Sequence, residues 1–124
     1  MIRKESRLRV GDNSDAQVVL CIHTNKKKNL IKKSSLGNFI KVTIKRKVNR
    51  RDNIRKRVNW CFVGATARRI VRSSGESLRF ANSKVVLLDE KRKKIMGTAI
   101  KGVLPREVKK ADIPDVIKKA RRLV

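Results

Sequence analysis

The side chains that could do chemistry in this sequence are overwhelmingly cations, and their spacing suits the neutralisation of phosphate. No acidic residue lies between Asp15 and Asp52, and that interval holds eleven lysines and arginines: Lys26, Lys27, Lys28, Lys32, Lys33, Lys41, Lys45, Arg46, Lys47, Arg50 and Arg51. Six more fall between Asn53 and Gly75, again without an acid: Arg55, Lys56, Arg57, Arg68, Arg69 and Arg72. Across the chain, 35 Lys and Arg stand against 10 Asp and Glu, a formal charge of +25. One lysine alone is ordinarily a solvated surface charge. Seventeen uncompensated cations repel one another and gain nothing for folding, so they require a polyanion. Arginine forks onto phosphate through two parallel hydrogen bonds. Basic side chains on irregular backbone match the scattered phosphates of a folded RNA.

Other chemistries lack their parts. His23 is the only histidine, so no second imidazole orients a first. Cys21 and Cys61 sit inside apolar runs and read as buried free thiols in a reducing compartment, with too few further ligands for a metal. There is no phosphate-cradling glycine loop, and Gly97 and Gly102 are isolated. Asp12 and Asp15 read as turn-capping residues, and Ser73 and Ser74 have no base nearby in sequence. We therefore expect no enzyme, no cofactor, no metal and no small-molecule substrate.

A membrane is the other common polyanion, but no apolar run approaches the ~18 residues of a span. The best amphipathic helix, near Val116, is short and carries no aromatic. Residues Met1-Ile2-Arg3-Lys4-Glu5 show no secretory signal, and strand-like sequence begins too early for a transit peptide, so the chain reads as complete from its first residue. One Trp, three Phe and no Tyr fall mostly in apolar runs, where core packing is expected. Recognition should be of RNA shape and backbone, not of bases.

Short strands must position these cations. Val18-Val19-Leu20-Cys21-Ile22 follows a turn-forming stretch and reads as a buried strand. Residues 24–35 read as a loop or exposed ribbon. In Phe39 to Lys45, Ile40, Val42 and Ile44 face one side and Lys41, Thr43 and Lys45 the other, a half-buried antiparallel strand. Residues 46–57 are basic and polar. Strand character returns from Val58 to Val71, is punctuated by the turn Ser73-Ser74-Gly75, and continues through Leu78-Arg79-Phe80 and Val85-Val86-Leu87-Leu88. A short helix can start at Pro105. A second, with Asp112 as N-cap and Pro114 in its first turn, should run to about Arg121 with Ile113, Val116, Ile117 and Ala120 on one face. Five or six short strands followed by two short helices predict a mainly β fold: a small closed β-barrel with a helical C-terminus. The 124 residues suit one domain, the barrel over about 1–104 and the helices over about 105–122.

Several of these segments, in order and spacing, resemble large-subunit ribosomal protein fourteen, the universal L-fourteen family. The resemblance starts at Met1-Ile2 and Leu8-Arg9-Val10-Gly11-Asp12-Asn13-Ser14 and runs through Cys21-Ile22 and Gly37-Asn38-Phe39-Ile40. Ser74-Gly75-Glu76-Ser77-Leu78-Arg79-Phe80, followed by Ser83-Lys84-Val85-Val86-Leu87-Leu88, is similar to the family's signature segment. Gly97-Thr98-Ala99-Ile100-Lys101-Gly102, Arg106-Glu107-Val108 and Leu123-Val124 complete it. The sequence departs from the pattern at Asp15 (glycine in the family), Asn49 (often proline), Ser83 (usually asparagine) and Ala99 (arginine).

The resemblance implies a five-stranded closed barrel with a β-ribbon and two small C-terminal helices. It implies a structural role in the large subunit, binding large-subunit rRNA and supporting translation. Implied neighbours are a protein of the L-nineteen family and small-subunit rRNA at a bridge, with Gly97, Thr98, Ala99 and Lys101 in the intersubunit region. Heavy basic enrichment and divergence resemble an organellar member, with the mitochondrial matrix placed ahead of bacterial cytoplasm or plastid. The expected rRNA contacts are Lys26, Lys27, Lys28, Lys32, Lys33, Arg46, Lys47, Arg50, Arg51, Arg68 and Arg69. A docking module for an acidic protein surface and a free nucleoid-type DNA-binding protein are the competing classes.

Overall fold

The computed structural model describes residues 2–24, 33–47, 57–111 and 113–124. The expected contacts Lys26, Lys27, Lys28, Lys32, Arg50 and Arg51, and the expected N-cap Asp112, lie outside the described residues. The strands are β1 (Ile2–Arg3), β2 (Arg7–Val10), β3 (Ala16–Thr24), β4 (Lys33–Ser34), β5 (Phe39–Lys47), β6 (Val58–Ala65), β7 (Ile70–Val71), β8 (Ser77–Leu78), β9 (Lys84–Leu87), β10 (Ile100–Leu104) and β11 (Ala120–Leu123). A 3-10 helix at Arg106–Ala111 and helix α1 at Pro114–Lys119 separate the last two.

Five strands close a barrel in the order β2-β3-β5-β6-β9, and the circle is completed by β9 lying parallel to β2. The expected alternation along β5 is present. Ile40 and Val42 are fully buried inside the barrel, Ile44 packs against the same core, and Lys45 is exposed. Strands β6 and β9 behave differently, because both of their faces are covered. Cys61, Val63, Val85 and Leu87 point into the barrel with Val19, Cys21 and Leu8. Phe62, Val86 and Leu88 point outward, into a second core under the C-terminal segment. A strand buried on two faces reads as a continuous apolar run, which is why Trp60 to Val63 and Val85 to Leu88 lack alternation.

The second core holds Ile95, Ile100, Leu104, Val108, Ile113 and Val116. Here the sequence expectation needs correction. The last helix stops at Lys119, and Ala120 to Leu123 form β11, parallel to β10. Ala120 stands opposite Ile100 and Leu123 opposite Leu104, and both pack on the second core. Two parallel neighbours need a crossover of roughly a dozen residues. The two short helices are that crossover, and the ladder bonds with β10 override the good intrinsic helix propensity of Ala, Arg and Leu.

Strands β7 and β8 form a ribbon turning through Ser73-Ser74-Gly75, where Gly75 takes φ +86°. At the other end, Ile2 of β1 is buried in the barrel core and lies opposite Ser34 of β4.

Candidate nucleic-acid interface

A polar cluster begins at the turn after β2. Asp12 is buried, and one carboxylate oxygen accepts bonds from the Ser14 amide (3.1 Å) and hydroxyl while the other accepts the Leu87 amide at 3.1 Å. Burial pushes its carboxyl above the usual range, and these hydrogen bonds oppose the shift. Its turn-capping role is as expected, with an added link to barrel strand β9. Asn13 reaches across to the turn before β10. Its Oδ1 accepts the amides of Thr98 (2.7 Å) and Ala99 (3.2 Å), and its Nδ2 donates to the Thr98 hydroxyl at 2.5 Å. From the far side, Lys119 donates to the Gly97 carbonyl at 3.3 Å and pairs with Asp115 at 3.1 Å; Asp115 accepts the Ile95 amide at 2.8 Å.

The turn proposed for the intersubunit region is thus clamped between the N-terminal turn and α1. Gly97 is buried within it, whereas Thr98, Ala99 and Lys101 are exposed. A side chain at Gly97 would lie 2.6 Å from Asn13 Oδ1 and 3.1 Å from Asp12 Cβ, so only glycine allows this close approach.

Barrel register gathers cations at the same end. Arg46 stands opposite Val18, Val18 opposite Arg9, Arg9 opposite Lys84, and Lys84 opposite Ala65. One row crossing five strands therefore carries three basic residues. Arg9, Arg46 and Lys101 line a cleft of about 390 Å³, with Ser14 and Gln17 on its wall. Arg9 and Arg46 lie two strands apart, roughly 10 Å between backbones. Arg9 and Lys84 escape a reading based on charge runs, because neither has a cation as its immediate neighbour in sequence. The alternation Arg7-Leu8-Arg9-Val10 is the signal that marks Arg9 as outward-facing.

The other expected contacts separate. Lys47 is exposed at the end of β5. Arg68 and Arg69 are exposed on the corner after β6, held near the cationic row because the Ala67 amide donates to the Ser83 hydroxyl at 3.2 Å. Arg69 also donates to the Ser77 hydroxyl at 2.9 Å. Lys33 lies in β4 opposite Arg3, in a paired strand. Arg72, counted above among the uncompensated cations, is in fact paired. Its guanidinium contacts Glu107 at 2.8 and 3.3 Å and donates to the Val124 backbone oxygen at 2.6 Å. The acid it needed lies 35 residues away in sequence.

Cys21 and Cys61 are buried free thiols, and burial pushes both thiol values up, Cys61 strongly. Neither is poised as a nucleophile. Phe62 is buried as expected, with Phe39 edge-on at 6.2 Å. Trp60 is only half-buried, and two cations stand over its ring.

A barrel with a cationic end fits a scaffold for RNA. The family model described as Ribosomal protein L14p/L23e matches residues 1–124, the whole chain. The chain belongs to this family. Members are structural, non-enzymatic constituents of the large ribosomal subunit, associated with its rRNA and proteins, and the ribosome is the place of this chain.

Proposed function

We propose that this member of the family binds large-subunit rRNA through phosphates, and that the cleft of Arg9, Arg46 and Lys101 is one contact. The row Arg46, Val18, Arg9, Lys84 carries this reading, because rigid ladders bring together cations from separate strands, far apart along the chain. Fixed cations bind a polyanion without first losing the freedom of a loop. Lys47, Arg68 and Arg69 extend the contact on the same barrel, and Lys26, Lys27, Lys28, Lys32, Lys33, Arg50 and Arg51 extend it along the chain. In this proposal the Gly97-Thr98-Ala99 turn faces small-subunit rRNA at a bridge, and Lys101 stands where that bridge adjoins the cleft. A protein of the L-nineteen family is the neighbour, and the ribosome is mitochondrial, as the basic enrichment and motif departures suggest.

The triple variant Arg9→Gln/Arg46→Gln/Lys101→Gln tests the cleft. Each phosphate contact contributes about 0.7–0.9 to the slope of log affinity against log salt. Losing three should flatten that slope by about 2–3 for a large-subunit rRNA fragment. The variant should also sediment less with large subunits in a sucrose gradient. An unchanged slope removes the cleft from the interface, and equal binding to polyglutamate favours an acidic protein partner. Recovery of the tagged chain on cytosolic or plastid ribosomes refutes the mitochondrial placement.

A further inference from the structure

Trp60 has no part in phosphate neutralisation, and its surroundings are unlike those of a core tryptophan. It stands on the outer face of β6, opposite Lys41 of β5. Lys41 Nζ lies 5.0 Å from its ring centre and the Arg92 guanidinium carbon 4.7 Å from it, the latter also 5.9 Å from the Phe39 ring. Arg92 comes from the turn between Leu88 and Ile95, which pair in an isolated bridge. That turn is tightly built. The Leu88 amide donates to the Trp60 carbonyl at 2.8 Å, and Asp89 Oδ1 accepts the amides of Lys93 (3.0 Å) and Lys94 (3.3 Å). Arg92 itself adopts φ +57°, a left-handed conformation that a long side chain rarely takes. The turn thus holds a strained residue against an aromatic face.

Beside the indole is a cleft of about 290 Å³. Trp60 forms one wall, Val58 supplies apolar surface above buried Leu88, and Lys41, Asn59, Asp89 and Glu90 supply polar atoms. Val58 is 47% exposed, so its apolar surface here is wet. The carboxylates decide what fits. Acids lining a niche repel phosphate, but they accept hydrogen bonds from exocyclic amines, as Asp and Glu do from cytosine N4. An aromatic wall with an aliphatic floor suits a flat ring. Lys41 within the cleft and Arg92 against the indole, with exposed Lys91 and Lys93 beyond, suit the phosphates flanking such a ring.

We infer that the Trp60 niche receives one unstacked RNA base bearing an exocyclic amine (adenine, guanine or cytosine in preference to uracil), with its flanking phosphates on Arg92 and Lys41. This rests on the RNA-binding reading above and adds base recognition to it. The niche is distinct from the cationic cleft: Lys41 and Arg46 are five positions apart on β5, roughly 16 Å along the strand.

Trp60 is the only tryptophan, so its emission reports the niche without any substitution. The full chain is titrated with oligo(A), oligo(C), oligo(U) and inorganic polyphosphate, following fluorescence and, in parallel, anisotropy of labelled RNA. Saturable quenching by oligo(A) and oligo(C), several-fold weaker with oligo(U) and absent with polyphosphate, is expected. Trp60→Leu should weaken oligo(A) binding about ten-fold or more, and Trp60→Phe less. RNA binding by anisotropy with unchanged emission would overturn the niche and leave the phosphate reading intact. Equal quenching by polyphosphate would overturn it too, since the ring would then report only displaced cations. An emission change on adding neighbouring ribosomal proteins, with none on adding RNA, would overturn it in favour of a protein occupant. Loss of all RNA binding would instead defeat the reading on which it rests.

Discussion

Substituting Gly97 by alanine tests whether the Asn13 clamp holds the intersubunit turn. The added Cβ would sit 2.6 Å from Asn13 Oδ1 and 3.1 Å from Asp12 Cβ. Asp12 is buried and pinned by its own hydrogen bonds, so Asn13 must move. Moving it breaks two bonds from the Thr98 and Ala99 amides and one to the Thr98 hydroxyl. Each such bond nets about 0.5–1.5 kcal/mol, toward the low end in this exposed position, so the loss is about 1.5–2 kcal/mol. Gly97 does not need a positive φ, so alanine recovers about 0.4–1 kcal/mol by restricting the unfolded chain. The net cost is about 1 kcal/mol, a fall in Tm of roughly 3–6 °C for a chain of this size.

The decisive assay is a double-mutant cycle by thermal and urea melts of wild type, Gly97→Ala, Asn13→Ala and the double variant. With Asn13 already truncated, only the 3.1 Å approach to Asp12 Cβ remains, so the Gly97 change should cost less than in wild type, giving a coupling of about 0.5 kcal/mol or more. Costs that add within about 0.3 kcal/mol would refute the clamp.

Two further outcomes follow from titrating groups. The Arg72 guanidinium beside Glu107 holds that carboxyl below its ordinary range, so the pair contributes stability above the unfolded carboxyl value of about 4.3 and loses it as pH falls through the folded value. Glu107→Gln should lower stability near pH 7 and flatten the acid loss; parallel urea-melt profiles for wild type and variant between about pH 5 and 3 would contradict this. Cys21 and Cys61 are buried and held protonated, so a thiol reagent should label both only as fast as the chain unfolds, and prompt labelling of the folded protein would show that the barrel opens locally.

Much of the barrel was legible in the chain. Ile40, Val42 and Ile44 alternate with polar neighbours because β5 has one wet face, and period-two patterns survive wherever a strand is half-buried. The turn at Ser73-Ser74-Gly75 was legible because glycine relieves a local backbone constraint. Two things were not. Nothing local told Ala120 to Leu123 to leave a helix, because the partner that extends them is β10. Trp60 read as core because Cys61 and Phe62 are core, yet its own outer position is half open.

Sequence by itself determined the sign and size of the charge and the mainly β pattern, since composition and periodicity are properties of the chain. Only tertiary structure decided which cations lie together. Arg9 and Arg46 line one cleft because closed ladders set their register, and Arg72 leaves the group because the fold brings Glu107 to it. Electrostatic energy depends on distance in space, and separation along the chain does not fix that distance.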